Sequence, residues 1–171
     1  LAGFARRLIQ ETGCKLIVHQ SAIQLLKNGK NDIALQPLNF RTWLVFSILG
    51  GANRSTYPSL QVNPAGLITT GEANYSLRDI GVPGDVIHTP GHTRDSISLV
   101  LDDKTAFVGD AAMNFLHFTG IRYRPIYIEN ITKVYQSWDK LLKHGIKNIY
   151  PSHGAPFSAA DLQKSLAKFY P

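Results

Sequence analysis

The stretch His88-Thr-Pro-Gly-His-Thr-Arg-Asp-Ser-Ile-Ser-Leu-Val-Leu-Asp-Asp-Lys-Thr-Ala-Phe-Val-Gly-Asp110 decides how this chain folds. Its middle reads as a β-hairpin: an apolar run over 96–101, an Asp102-Asp103-Lys104 turn, and a second apolar run over 105–108. Each end sets a polar side chain beside a glycine. His92 follows Gly91 at the entrance, and Asp110 follows Gly109 at the exit. A third case is His153, in Pro151-Ser152-His153-Gly154 after the apolar run 146–150. Strand ends in α/β folds are where sites assemble, because the sheet is rigid and its loops are free to vary. Two imidazoles and a carboxylate form a donor set for zinc, iron or manganese. Taken singly, each has a plainer reading, since a loop histidine is usually just solvated and Gly-Asp after a strand is usually a turn. Their matching placement shifts the balance toward function.

Outward from the hairpin, the pattern alternates helix and strand. Apolar residues at Phe4, Ala5, Leu8 and Ile9, with Gly13 just after, predict a helix over 2–12. The run 15–19 predicts a buried strand. Ser21 and Gln24 have capping-box spacing for a helix ending near Asn28-Gly29. A further helix is expected over 38–49, and a Pro/Gly/Asn-rich loop over 53–66. Strands are expected at 67–70, 75–80, 85–88, 96–101 and 105–108. Asn130 is placed to cap a helix with apolar residues at 131, 134, 135, 138, 141 and 142. A strand over 146–150 and a helix from Ser158 or Asp161 to about Phe169 complete the pattern. Without repeats or linkers, residues 1–171 read as a single α/β (α+β) domain.

The composition bounds the class. A chain of 171 residues with 44% hydrophobic and 18% charged residues is long enough to bury a core unaided. The single cysteine, Cys14, excludes an internal disulfide and reads as a small packed residue. No stretch approaches the roughly 18 apolar residues of a membrane helix. The net charge of +6 comes from scattered lysines and arginines, Arg6-Arg7 being the only doublet. That argues against a nucleic-acid groove and for affinity toward small anions. No targeting segment is legible, so the expected location is the cytoplasm. The opening helix feeds a buried strand with no strand before it, so the chain is expected to lack an N-terminal portion.

The motifs His88-Thr-Pro-Gly-His92, Phe107-Val-Gly-Asp110 and Tyr150-Pro-Ser-His153-Gly154, in this order and spacing, closely resemble those of the metallo-β-lactamase superfamily. The resemblance covers nearly the whole chain. It implies a four-layer αββα sandwich with a two-metal site at the sheet edges. Matched by position, His92 would be a ligand to the first metal, Asp110 the carboxylate bridging both, and His153 a ligand to the second. Zinc is the expected metal, two ions in the complete protein, with iron or manganese as alternatives. The family's His-x-His-x-Asp-His motif has no match here; His19 lies on a strand in the wrong context. The chain thus supplies three of the usual seven ligands.

The resemblance implies a metallo-hydrolase in which a metal-bound hydroxide, oriented by Asp110 as the catalytic carboxylate, attacks an ester, thioester, lactone or phosphodiester. The incomplete ligand set implies that this chain alone is weakly active or inactive. A β-lactamase of the best-known type carries cysteine where Asp110 stands, which argues against antibiotic hydrolysis. The alternative is a truncated or degenerate domain acting as a binding module. His88 and Thr93 are candidates for hydrogen-bonding the ligands. The segment 113–129 would overhang the metals. Its Phe115, His117, Arg122, Tyr123 and Arg124 are candidates for contacting a small anionic organic substrate; the plainer reading is a packed loop. Missing strands would leave sheet edges and apolar faces open, so a homo-oligomer is the expected assembly.

Overall fold

The computed structural model describes residues 2–29, 35–48, 59–60 and 67–170. The elements in chain order are α1 (Ala2–Thr12), β1 (Leu16–His19), α2 (Ile23–Asn28), β2 (Gln36–Pro37), α3 (Phe40–Ile48), β3 (Leu67–Thr70), β4 (Tyr75–Ser76), β5 (Gly84–His88), β6 (Ile97–Leu101), β7 (Thr105–Gly109), β8 (Tyr127–Ile128), α4 (Ile131–Lys143), β9 (Asn148–Pro151), β10 (Phe157–Ser158) and α5 (Ala159–Phe169). The expected mixed α/β architecture holds.

Six strands form one sheet in the order β10-β9-β7-β6-β5-β4. The hairpin read from the sequence is its centre: β6 pairs antiparallel with β7, and β5 pairs antiparallel with β6. β9 lies parallel to β7, with Gly109 opposite Pro151. A parallel partner needs a crossover, and α4 supplies it. Directions follow from these pairings. β5, β7 and β9 all run the same way, so their C-terminal ends share one edge of the sheet.

Alternation along the central strands selects the buried face. Ser98 and Val100 of β6 and Ala106 and Val108 of β7 are buried. Val100, Ala106 and Val108 meet Val134, Tyr135, Trp138 and Leu141 of α4 and Leu162 of α5 in one core cluster. Trp138 is fully buried, and its indole N–H donates to the Ala111 carbonyl at 2.7 Å, which satisfies the polar edge of a large apolar ring. The Asn130 side chain accepts from the Lys133 amide at 3.0 Å and starts α4 as expected. Ser158 likewise caps α5 through the Asp161 amide. The opposite face of the sheet carries Phe107 and Tyr150, 44% and 42% exposed, with ring centroids 5.3 Å apart.

Two further sheets have two strands each: β1 parallel to β3, and β2 antiparallel to β8. The last tethers segment 113–129 to the N-terminal half. Some local expectations are corrected. The strand expected over 75–80 stops at Ser76, and Arg78–Ile80 form a single 3₁₀ turn ended by left-handed Gly81. Ser21 does not cap a helix; instead its hydroxyl and amide both approach His19 Nδ1, where a 3₁₀ turn starts and runs into α2. Phe157-Ser158 add a short edge strand that the pattern did not suggest, since two residues carry no periodicity. The loop expected over 53–66 lies outside the described residues, apart from Ser59 and Leu60, as does the Gly50-Gly51 helix stop. Among the described residues no helix is long and apolar enough to cross a membrane.

Candidate metal site

The shared edge of β5, β7 and β9 gathers the three residues singled out in the sequence. His92 lies four residues past β5, Asp110 one past β7, and His153 two past β9. Their side chains meet. His92 Nε2 stands 3.7 Å from Asp110 Oδ2, and His153 Nδ1 stands 2.7 Å from Asp110 Oδ1. Each carboxylate oxygen thus faces one imidazole. Side-chain exposure rises from 17% at His92 through 28% at Asp110 to 56% at His153, so the group opens to solvent on the His153 side.

Two glycines make this approach possible. Gly91 has φ +138, and a Cβ there would lie 2.4 Å from the Val134 amide nitrogen at the start of α4. Gly154 has φ +95, and a Cβ there would lie 1.9 Å from the Asn114 carbonyl oxygen. Only glycine allows backbone to pack this closely in that conformation. The His92 turn is thereby pressed against α4, and the His153 turn against Asn114, whose amide donates to the His153 carbonyl at 3.0 Å.

The donor chemistry fits a cation. His92 Nδ1 lies 2.7 Å from the Tyr127 carbonyl, which can only accept, so Nδ1 carries the proton. A neutral His92 therefore points the lone pair of Nε2 at a carboxylate oxygen. Two acceptors facing one another at 3.7 Å invite a proton or a metal ion between them. An imidazole oriented through its second nitrogen by a backbone carbonyl is the usual arrangement of a metal-ligating histidine.

The other candidates lie as follows. His88 bonds Glu72 Oε2 and the Arg94 carbonyl, each at 2.8 Å, and is buried rather than solvent-facing. The Thr93 hydroxyl pairs with Ser96 Oγ at 2.8 Å, closing the turn that carries His92. His117 bonds the Asn114 side chain and packs edge-on to Tyr123, centroids 5.4 Å apart. Tyr123 stacks on Phe157 at 4.3 Å. Phe115 is 45% exposed. Arg124 is committed to structure: it donates to the Ile121 and Gly120 carbonyls at 2.8 Å each and lies 3.7 Å over the Phe169 ring. The Arg122 carbonyl accepts from Ser165 Oγ at 2.6 Å, which ties the segment to α5.

Sequence reasoning missed a second cluster. His19, Glu72 and His88 offer ligand atoms that all lie within 4.8 Å of one another, the one such group among the described residues. His19 and His88 stack face to face, centroids 3.8 Å apart and 5° from parallel. Burial and the neighbouring His88 lower the pKa of His19, against weaker opposition from Glu72 and Asp95. The hydrogen bond from His88 lowers that of Glu72, outweighing the opposing effect of desolvation. No sequence signal joins these residues. They meet because β1 pairs with β3, placing His19 opposite Thr70, two residues before Glu72.

No family model matches the chain, and no curated protein matches it in sequence. Solved structures do. An archaeal metallo-β-lactamase superfamily protein from Sulfolobus tokodaii, ST1585, superposes with a TM-score of 0.60 at 20% identity, over 97% of this chain and 62% of its own. The chain has the metallo-β-lactamase fold. The BLEG-1 B3 metallo-β-lactamase gives a TM-score of 0.61 at 17% identity, over 99% of this chain and 71% of its own. TTHA1623, solved in a di-iron-bound form, gives 0.58 at 13%, over 95% and 69%. The chain thus spans less than two thirds of the length of ST1585.

Proposed function

We propose that this chain belongs to the metal-dependent hydrolases of the metallo-β-lactamase superfamily, acting on an ester, thioester, lactone or phosphodiester of an anionic organic molecule. The observation that carries the reading is the lone pair of His92 Nε2 aimed at Asp110 Oδ2, with Nδ1 anchored on the Tyr127 carbonyl. His92, Asp110 and His153 would hold the metal. When bound, the metal would supply Lewis acidity and a water acidic enough to attack near neutral pH.

The chain's own residues prepare that chemistry. The Tyr127 carbonyl fixes the His92 tautomer, so the ring arrives with its donor pair already directed. The His153 Nδ1–H donates to Asp110 Oδ1, which holds the carboxylate plane and leaves His153 Nε2 on the open side. The net charge of +6 favours anionic molecules in general. Three ligands shared between two ions leave each short of the four that zinc takes. Weak hydrolysis is therefore expected of this chain, and full activity of a protein in which further ligands complete the site.

The reading is tested by loading the protein with zinc, iron(II) or manganese(II) in turn. Metal uptake by elemental analysis and hydrolysis of an ester, a thioester, a lactone and a phosphodiester are then followed for wild type and Asp110→Asn. Lower uptake and lost hydrolysis in the variant are expected. Equal uptake and equal hydrolysis in both proteins would overturn it.

A further inference from the structure

His19, Glu72 and His88 form a second group of metal-competent side chains, remote in sequence from the hairpin motifs. His88 Nε2 lies 2.8 Å from the Arg94 carbonyl, which can only accept, so Nε2 carries a proton. Nδ1 lies 2.8 Å from Glu72 Oε2: it donates there when the ring is protonated and offers its lone pair when the ring is neutral. The neutral ring repeats the acceptor-to-acceptor meeting seen at His92 and Asp110, and it too calls for a proton or a cation. His19 sharpens the case. Its side chain is 4% exposed, and its Nε2 is buried with no hydrogen-bond partner, 3.9 Å from Glu72 Oε1. A buried imidazole nitrogen without a partner is costly, on the order of 1–3 kcal/mol, unless something fills the position. Its other nitrogen, Nδ1, lies 2.6 Å from Ser21 Oγ and 3.3 Å from the Ser21 amide nitrogen; with the ring proton on Nδ1 and donated to Oγ, Nε2 carries the lone pair. Both rings thus have one nitrogen oriented by an oxygen and the other turned toward the same carboxylate, the pattern of ligating histidines. Asp95 Oδ1 is a second buried atom without a partner, and its charge acts on His19.

We propose that His19 Nε2, His88 Nδ1 and the Glu72 carboxylate form a binding site for one divalent transition-metal ion, separate from the His92–Asp110–His153 group. Two imidazoles and a carboxylate suit zinc or iron(II) and leave coordination positions for water. Each ring has one nitrogen beside an oxygen, Ser21 Oγ for His19 and the Arg94 carbonyl for His88, which leaves the other nitrogen to ligate. Engaging both nitrogens tilts one ring out of the stack. Such an ion would tie β1 to the end of β5, joining the two-stranded β1–β3 sheet to the six-stranded one.

Zinc alone is the probe. In full-length Asp110→Asn/His153→Ala protein, where the first group is disabled, calorimetric titration is expected to give one zinc per chain. Cobalt(II) substitution should give a visible spectrum that does not depend on Asp110. Adding Glu72→Gln, at a position 78% exposed and so tolerant of change, should weaken zinc binding at least tenfold. Adding His19→Gln instead should do the same, and circular dichroism checks that both variants fold. No zinc uptake in the Asp110→Asn/His153→Ala protein, or uptake unchanged by both added substitutions, would overturn the proposal, and the cluster would then hold only a shared proton. Failure here leaves the hydrolase reading standing, because that reading is judged on Asp110→Asn alone.

Discussion

The Asp110 carboxylate sits between two histidines, one oxygen 3.7 Å from His92 Nε2 and the other 2.7 Å from His153 Nδ1. The relationship is made by strand direction. Asp110 and His153 leave neighbouring parallel strands at almost the same level, since Gly109 is opposite Pro151. His92 reaches them from a strand that runs the same way, with β6 between it and β7.

The turn bearing His153 depends on backbone proximity that a side chain would destroy. Gly154→Ala places a methyl 1.9 Å from the Asn114 carbonyl oxygen at a φ of +95. Gly13 also has positive φ, but no atom lies within 4 Å of its added Cβ. Gly13→Ala should therefore cost about 1 kcal/mol for the left-handed conformation alone, and Gly154→Ala more than about 2 kcal/mol. Urea melts compare the two, and equal losses would show that the Asn114 approach is unimportant.

Trp138 joins the sheet to α4 through both packing and a hydrogen bond. Trp138→Phe should lose about 1–3 kcal/mol, because the Ala111 carbonyl loses its donor inside the core. Trp138→Ala should lose about 3–5 kcal/mol, the cavity adding to the loss. Thermal unfolding of both variants measures the difference, which isolates the indole N–H from the bulk of the ring.

Acid should weaken the metal-free protein in a defined window. His19 has its pKa lowered from 6.5 by burial and by His88, so the folded state resists a proton that the unfolded chain accepts. Stability from this group is complete above about pH 6.5 and is lost progressively as the pH falls below that value. Glu72, lowered from 4.5 by its bond to His88, adds a loss of the same sign on further acidification. With chelator present, the denaturant midpoint should fall from pH 7 to pH 5, and His19→Gln should flatten that fall. A midpoint that rises on acidification would contradict the assignment.

The part of the central sheet's second face around Phe107 and Tyr150 should promote self-association. Phe107 and Tyr150 lie side by side there, nearly half exposed, and among the described residues β1 and β3 pair only with each other. Light scattering across a concentration series should show a rising mean mass. Phe107→Lys should suppress the rise without unfolding the protein, since Phe107 points away from the helix-covered core. A constant monomer mass at every concentration would remove the expectation of an oligomer.

The sequence by itself determined most of the elements and the places where strands end. Spacing of Val134, Tyr135, Trp138 and Leu141 marked a helix, and the apolar runs 96–101 and 105–108 about the Asp102-Asp103-Lys104 turn marked a hairpin. These are local signals, set by the periods of helix and strand, and they survive in any context. The glycine-flanked His92, Asp110 and His153 were legible for the same reason: each lies at a strand end, and strand ends show in the chain as breaks in pattern. Tertiary structure alone decided which side chains meet. His19 and His88 are joined only by strand pairing across long loops, and no local period encodes that. It alone turned Arg124 onto Phe169, and it alone aimed His92 Nε2 at Asp110 through the Tyr127 carbonyl. Direction and distance between remote groups come from packing, in which every contact depends on all the others.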